Sequence, residues 1–290
     1  MVTPQQYCES LARAHYENFP VASRLLPPAM RPHVAAVYAF ARIADDIADE
    51  GQVPAAERLA ALDAWEERVI AVTAGRPDPG GPHREVFEAV RETVRTCDLP
   101  VSLLTDLLSA FKQDVTVCRY ATWTSLLDYC RRSANPVGRL VLRIAGYRAA
   151  DLDAASDAVC TALQLTNFWQ DLERDWHKER LYVPAEVSAL FGAREEDLAA
   201  RRLTAAWRSA LEECARRTRG LFFAGRGVCD GVRGRLRWEL RATWLGGNRI
   251  LDKLEDVQYD VFAKRPVLGV SDAVSIACRA LTWRRDVMGS

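Results

Sequence analysis

Two short acidic segments hold the residues best suited to chemistry. In the first, Tyr38-Ala-Phe-Ala-Arg42-Ile-Ala-Asp45-Asp46-Ile-Ala-Asp49-Glu50, four acids fall within six residues. On a helix Asp45 and Asp49 stand one turn apart on one face, and Arg42 and Tyr38 precede them on that face. Ile43, Ala44, Ile47 and Ala48 supply an apolar surround, and Asp46 is left beside the pair or facing solvent. Carboxylates stacked at i and i+4 repel, and the C-terminal end of a helix favours cations, so this box asks for a positive partner. A hard divalent cation meets the need. Mg²⁺ takes oxygen ligands, commonly one or two carboxylates completed by waters and substrate phosphates. For this box alone, a solvated acidic helix end is an equally good reading.

The second segment is Gln164-Leu-Thr-Asn167-Phe-Trp-Gln-Asp171-Leu-Glu-Arg-Asp175. Gln164, Asn167, Asp171 and Asp175 are spaced to form one helical stripe, and each side chain offers an oxygen. Leu165, Phe168, Trp169 and Leu172 lie between them. An oxygen stripe on an otherwise buried helix should line a cavity, because unpaired buried polar groups are costly. Two facing boxes would hold divalent ions, with a diphosphate completing the coordination. Two unrelated solvated patches account for this pairing poorly.

The elements that must position these boxes read as helices. Ala, Leu, Arg and Glu dominate, and no Asn-Gly or Asp-Gly hairpin joins alternating β-branched runs. Helical periodicity predicts helices over 4–17, 31–50, 55–74, 83–97, 100–116, 123–146 (broken near Pro136), 151–177, 196–226, 232–263 and 271–286. Pro27-Pro28, the Pro77–Pro82 stretch, Pro184 and Pro266 punctuate them. With no long linker and no fixed short repeat, the expectation is one all-α domain over residues 1–290, a helical bundle around a central cavity.

Composition narrows the function classes. Basic and acidic residues number 39 each, so the net charge is zero and a basic excess for nucleic acid is missing. Among the cations only Lys112, Lys178, Lys253 and Lys264 are lysines; the rest are arginines. The eight cysteines include no C-x-x-C pair and there are four histidines, so zinc-ligand spacing is absent. His15 and His33 have no partners for a nucleophilic triad. Scattered thiols without a secretory leader read as a reduced, cytoplasmic protein. No apolar run is long enough to span a bilayer. Peripheral contact at the inner membrane face stays open, with arginines 226, 233, 235, 237 and 241 as the basic cluster that would meet anionic headgroups. A solvated helix face with paired acids explains that cluster better.

Taken together, the residues resemble the squalene/phytoene synthase family over about residues 8–286. The resemblance rests on Tyr-Ala-Phe-Ala-Arg-Ile-Ala-Asp-Asp-Ile-Ala-Asp at 38–49, Asn-Phe-Trp-Gln-Asp-Leu-Glu-Arg-Asp at 167–175, Glu179-Arg180-Leu181-Tyr182-Val183-Pro184, and Tyr129. Within the family, His15-Tyr-Glu-Asn18-Phe19-Pro and Cys130-Arg-Arg-Ser-Ala-Asn135-Pro136-Val-Gly138 look like the hydroxysqualene synthases of the bacterial hopanoid route. Three positions depart from the family pattern: Gln170 stands where an Arg is usual, Arg174 where a Glu is usual, and Gly246–Gly247 where a Tyr is common.

The resemblance implies an isoprenoid-synthase bundle and Mg²⁺-assisted chemistry on an isoprenoid diphosphate, with Mn²⁺ as an alternative ion. Presqualene diphosphate would lose diphosphate, the cation would rearrange, and water would capture it as hydroxysqualene; NADPH is not expected. It casts Asp45, Asp49, Asn167, Asp171 and Asp175 as metal ligands. Asn18, Phe19, Arg42, Gln164, Arg180, Tyr182 and Arg265 are cast as substrate-binding residues. Arg suits this role because its planar fork grips phosphate oxygens. Tyr38 and Tyr129 would face the reacting carbons, with Phe19, Phe40, Phe111 and Phe168 lining an apolar tunnel. Pro136 would kink its helix and, with Asn135, hold the quenching water. The alternatives are presqualene diphosphate or squalene synthesis from farnesyl diphosphate, and a non-catalytic helical scaffold for neighbouring pathway enzymes.

Overall fold

The structure, a computed structural model, describes residues 3–14, 26–49, 51 and 53–283. Among them the chain is helical, with no strand beyond an isolated parallel bridge between Arg119 and Leu181. The all-α expectation holds. By its contacts the chain separates into two compact units, Met1–Val117 with Arg132–Asp153, and Cys118–Arg131 with Ala154–Ser290.

The first unit contains α1 (Pro4–Ala14), α2 (Arg31–Asp49), α3 (Ala55–Thr73), α4 (Arg84–Cys97), α5 (Ser102–Asp114) and α7 (Asn135–Ile144). A 3₁₀ turn over Pro28–Met30 leads into α2, and Pro32 sits in the first turn of α2, where a missing N–H costs nothing. Its core is built on Phe40, Trp65 and Phe87, with Trp65 and Phe87 edge to face at 4.5 Å. Phe40 is fully buried here, so this tunnel candidate is a core residue. Beneath the rings Arg68 is buried, lies 3.9 Å from the Phe87 ring centre and grips Asp78 with two hydrogen bonds. The carboxylate and the aromatic face together compensate its lost hydration.

The second unit contains α6 (Trp123–Ser133) as far as Arg131, α8 (Ala150–Gln170) from Ala154 on, α9 (Leu172–His177), α10 (Ala185–Phe191), α11 (Glu195–Ala199), α12 (Ala205–Gly225), α13 (Val228–Gly231), α14 (Gly234–Asp256) and α15 (Val270–Leu281). The helix expected over 196–226 is divided: Arg201 has φ +52°, and Thr204 caps α12 by accepting from the Trp207 N–H. Likewise the run expected to 263 stops at Asp256, where Gln258 and Tyr259 take left-handed backbone. Helix α10, which follows Pro184, carries no strong periodic signal of its own.

Helices α8, α12 and α14 approach closely through glycine. A Cβ on Gly225 would lie 2.6 Å from the Ala155 carbonyl oxygen and 2.8 Å from the Val159 nitrogen. On Gly247 it would meet the Phe222 ring at 2.5 Å and Leu163 at 2.8 Å. The Phe222 ring fills the space at Gly247, which accounts for the missing side chain where the family often carries Tyr. Trp169 is buried in the same core and donates to Thr218 at 2.9 Å, and Thr218 donates on to the Cys214 carbonyl. No disulfide is formed, and burial pushes the Cys8 and Cys229 thiols up to about 12, so they stay protonated.

Candidate active site

The first box occupies the last turns of α2, which has no basic residue in its final turn. Its carboxylates therefore sit where the helix dipole opposes them. Arg42 supplies the local compensation: Nη2 lies 2.6 Å from Asp46 Oδ1, and Nη1 lies 3.6 Å from Asp45 Oδ2. Spacing places Arg42 on the face of Asp45 and leaves Asp46 beside the pair or facing solvent. The tighter contact is to Asp46, one residue further along, and its Oδ1 is inaccessible to solvent. Arg58 closes the helix end from α3, donating to the carbonyls of Ala48 and Gly51. Tyr38 is half-buried one turn before Arg42. Burial raises its pKa; Arg42 opposes this, and Asp46 and Asp45 add to it. The phenol therefore stays a neutral O–H donor near pH 7.

The second box lies where α8 ends. Helical hydrogen bonding continues across the break, with the Asp171 N–H on the Asn167 carbonyl and the Asp175 N–H on the Asp171 carbonyl. Asn167, Asp171 and Asp175 thus keep their common stripe, with Gln164 half-buried one turn earlier on α8. Asn167 Nδ2 donates to Asp171 Oδ2 at 2.8 Å. Arg265 grips the same carboxylate with both ends of its fork, Nε to Oδ1 at 2.5 Å and Nη2 to Oδ2 at 3.0 Å. Arg174 lies further out, 3.7 Å from Oδ1. After α9 a left-handed turn at Glu179 brings the Arg180 N–H onto the Asp175 carbonyl at 2.8 Å. Arg180 is thereby tied to the end of the stripe.

Beside this stripe the second unit has an aromatic wall. Phe168 and Tyr182 stack in parallel with centroids 3.6 Å apart, and Tyr129 lies 6.2 Å from Phe168 and 6.1 Å from Tyr182. Tyr120, absent from the sequence-derived set, stacks on Tyr182 at 5.7 Å. The Arg119–Leu181 bridge explains the meeting: Leu181 donates to the Cys118 carbonyl and Ala185 to the Tyr120 carbonyl. Such faces suit a developing carbocation, since the ring quadrupole attracts positive charge.

The expected kink at Pro136 is absent. The chain stops α6 at Ser133, turns at Ala134, and begins a separate helix α7 with Pro136 in its first turn. There the proline removes no intrahelical hydrogen bond. Asn135, which opens α7, is buried. Asn18 and Phe19 lie outside the described residues.

The donor set fits a hard cation. Both boxes offer oxygen atoms, with no thiolate or imidazole in the stripes. Among the described residues no group of three or more His, Cys, Asp or Glu side chains is gathered closely enough to hold a metal ion by itself.

The squalene/phytoene synthase family model matches residues 12–272. The hydroxysqualene synthase of Zymomonas mobilis is 37% identical over 219 residues, which cover 74% of this chain and 71% of the relative. That of Rhodopseudomonas palustris is 35% identical over 241 residues, covering 82% and 80%. Among solved structures, squalene synthase HpnC from Alicyclobacillus acidocaldarius superposes with a TM-score of 0.81 at 40% identity, covering 88% of this chain and 94% of that one. A dehydrosqualene synthase in complex with ligand shares the fold at a TM-score of 0.84 and 22% identity, covering 97% and 96%. The chain belongs to the squalene/phytoene synthase family and is an enzyme of the all-α isoprenoid-synthase fold.

Proposed function

We propose that this enzyme converts presqualene diphosphate to hydroxysqualene in a reaction that depends on Mg²⁺. One observation carries the ionisation half of this reading. Asp171 is part-buried and already grips a guanidinium with both oxygens, at the centre of a stripe of oxygen donors. A carboxylate held this way is built for cations. Arg265 beside it has the fork geometry that suits a diphosphate. A bound divalent ion would supply Lewis-acid neutralisation of the departing diphosphate. The proposed oxygen donors for such ions are Asp45 and Asp49 in the first box, and Asn167, Asp171 and Asp175 in the second.

The chain's own residues do the rest. Arg42, Arg180 and Arg265 hold diphosphate oxygens, and Tyr38 donates as a neutral phenol. The stacked faces of Phe168, Tyr182 and Tyr129 stabilise the cation and keep water off it. Asn135 orients the water that ends the reaction. Water capture as the last step is supported by the likeness to proteins named hydroxysqualene synthase and by the Asn135-Pro136 text. No described helix is long and apolar enough to cross a membrane.

The test is incubation with presqualene diphosphate and Mg²⁺, with and without NADPH, followed by mass spectrometry of the product. A C30 alcohol formed without NADPH is expected. A hydrocarbon that requires NADPH would instead make the enzyme a squalene synthase, the activity named for the HpnC structure. If Asn135→Ala leaves both the alcohol and its rate unchanged, the water-holding role is wrong.

A further inference from the structure

One bond lies beside the second box without belonging to it. Gln170, the last residue of α8, donates through Nε2 to the Pro266 carbonyl at 2.6 Å. Its neighbour Asp171 accepts both hydrogen bonds of Arg265, the residue before Pro266. Two consecutive residues at the end of α8 therefore hold two consecutive residues of the loop. The next one is held as well, since Lys253 Nζ donates to the Val267 carbonyl at 2.7 Å. Proline fixes its own φ and confines the residue before it to extended backbone. Fixing the carbonyl at 266 thus fixes the direction in which the Arg265 side chain leaves the loop. Gln170 does this with a neutral amide, so it brings no second cation to compete for Asp171.

We propose that Gln170 is a positioning residue that seats the Arg265 guanidinium on Asp171, making Arg265 the counter-ion of the second box in the cation-free enzyme. Asp171 would come free for a divalent cation as that guanidinium moves to diphosphate oxygens. Cation and diphosphate then bind with positive coupling, each favouring the other. This inference rests on the reading of the second box as a site for divalent cations and diphosphate.

The experiment measures Mn²⁺ binding by electron paramagnetic resonance, without ligand and with inorganic diphosphate. It uses the full chain as wild type, Gln170→Leu, Arg265→Gln and the double variant. Wild type should bind Mn²⁺ weakly alone and tightly with diphosphate. Arg265→Gln should raise diphosphate-free Mn²⁺ affinity about tenfold, the scale of a charge-assisted pair. Gln170→Leu should raise it about threefold, the scale of one hydrogen bond. In the double variant the Gln170 change should add nothing further, because it acts through Arg265. Gln170→Met serves if the leucine variant does not fold. An unchanged diphosphate-free affinity in the Gln170 variant, or an equal effect of it in the Arg265→Gln background, overturns the positioning role while the metal reading stands. Failure of wild type to bind Mn²⁺ even with diphosphate overturns both.

Discussion

In the first box the counter-charge lies one turn back on the same helix, whereas in the second it arrives from a loop 94 residues downstream. Arg42 and Asp46 are linked by the period of α2, so their contact forms with the helix itself. Arg265 and Asp171 meet only where the loop after α14 folds back, beside the bonds of Gln170 to the Pro266 carbonyl and of Lys253 to the Val267 carbonyl. Local neutralisation is built into the helix, because Arg42 and Asp46 stay within reach of each other for as long as α2 is formed. Remote neutralisation is exchangeable, because a loop residue can trade one anion for another. The second box is therefore the one suited to changing partners when a charged substrate arrives.

The largest test of this contrast is chemical. Asp171→Asn removes the negative charge that pairs with Arg265 and that the proposed cation would use in its place, and turnover should fall by roughly a thousandfold, the several kcal/mol that metal charge stabilisation would supply. Product formation from presqualene diphosphate at saturating Mg²⁺ measures it, with circular dichroism confirming the helical fold. Activity within tenfold of wild type would remove the second box from the chemistry.

What could be read from sequence follows the same local and remote division. The oxygen stripe and the acidic turn of α2 were legible because helical spacing fixes which side chains share a face. The break of 123–146 near Pro136 was legible too, but its form was not: a proline that opens a new helix and one that kinks an old helix share the same text. Which acid Arg42 grips more tightly is open in the sequence, since i+3 and i+4 are both neighbours on a helix. Tyr120 joins the aromatic wall because the adjoining Arg119 bridges to Leu181, and no periodicity links segments so far apart. Gln170 showed only as a departure from a family pattern; its bond to Pro266 depends on how the loop folds back. Gly247 was visible as a missing side chain, while the Phe222 ring that fills its place was not.

A second test compares stability at the two boxes with a chelator present. Arg265→Gln leaves the Asp171 carboxylate, 14% exposed, with Asn167 as its main donor. A part-buried charge that loses its partner should cost about 1–3 kcal/mol. Arg42→Gln removes a pair whose side chains are 28% and 29% exposed on one helix, and should cost about 0.3–1 kcal/mol. Denaturation midpoints at a common slope report the difference. Equal losses would mean that the remote pair is no more demanding than the local one.

The smallest effect concerns the far anchor of the loop that carries Arg265. Asp272 in α15 accepts from the Gly269 N–H at 2.8 Å and pairs with Lys253 at 2.5 Å and Arg249 at 2.8 Å. The Gly269 N–H, then Lys253 and Arg249, hold this carboxyl well below the usual carboxylate range. Because the folded value is depressed, the stabilisation is fully present above the unfolded value of about 4 and drains away as the pH falls towards the folded value. Wild type should therefore lose melting temperature more steeply below about pH 4 than Asp272→Asn, which has no charge there to lose. Near pH 7 the variant should melt lower than wild type, and the two curves should converge in acid. Parallel curves across the acid range would detach Asp272 from the anchoring of the loop, leaving Gln170 and Lys253 to hold Arg265 against the second box.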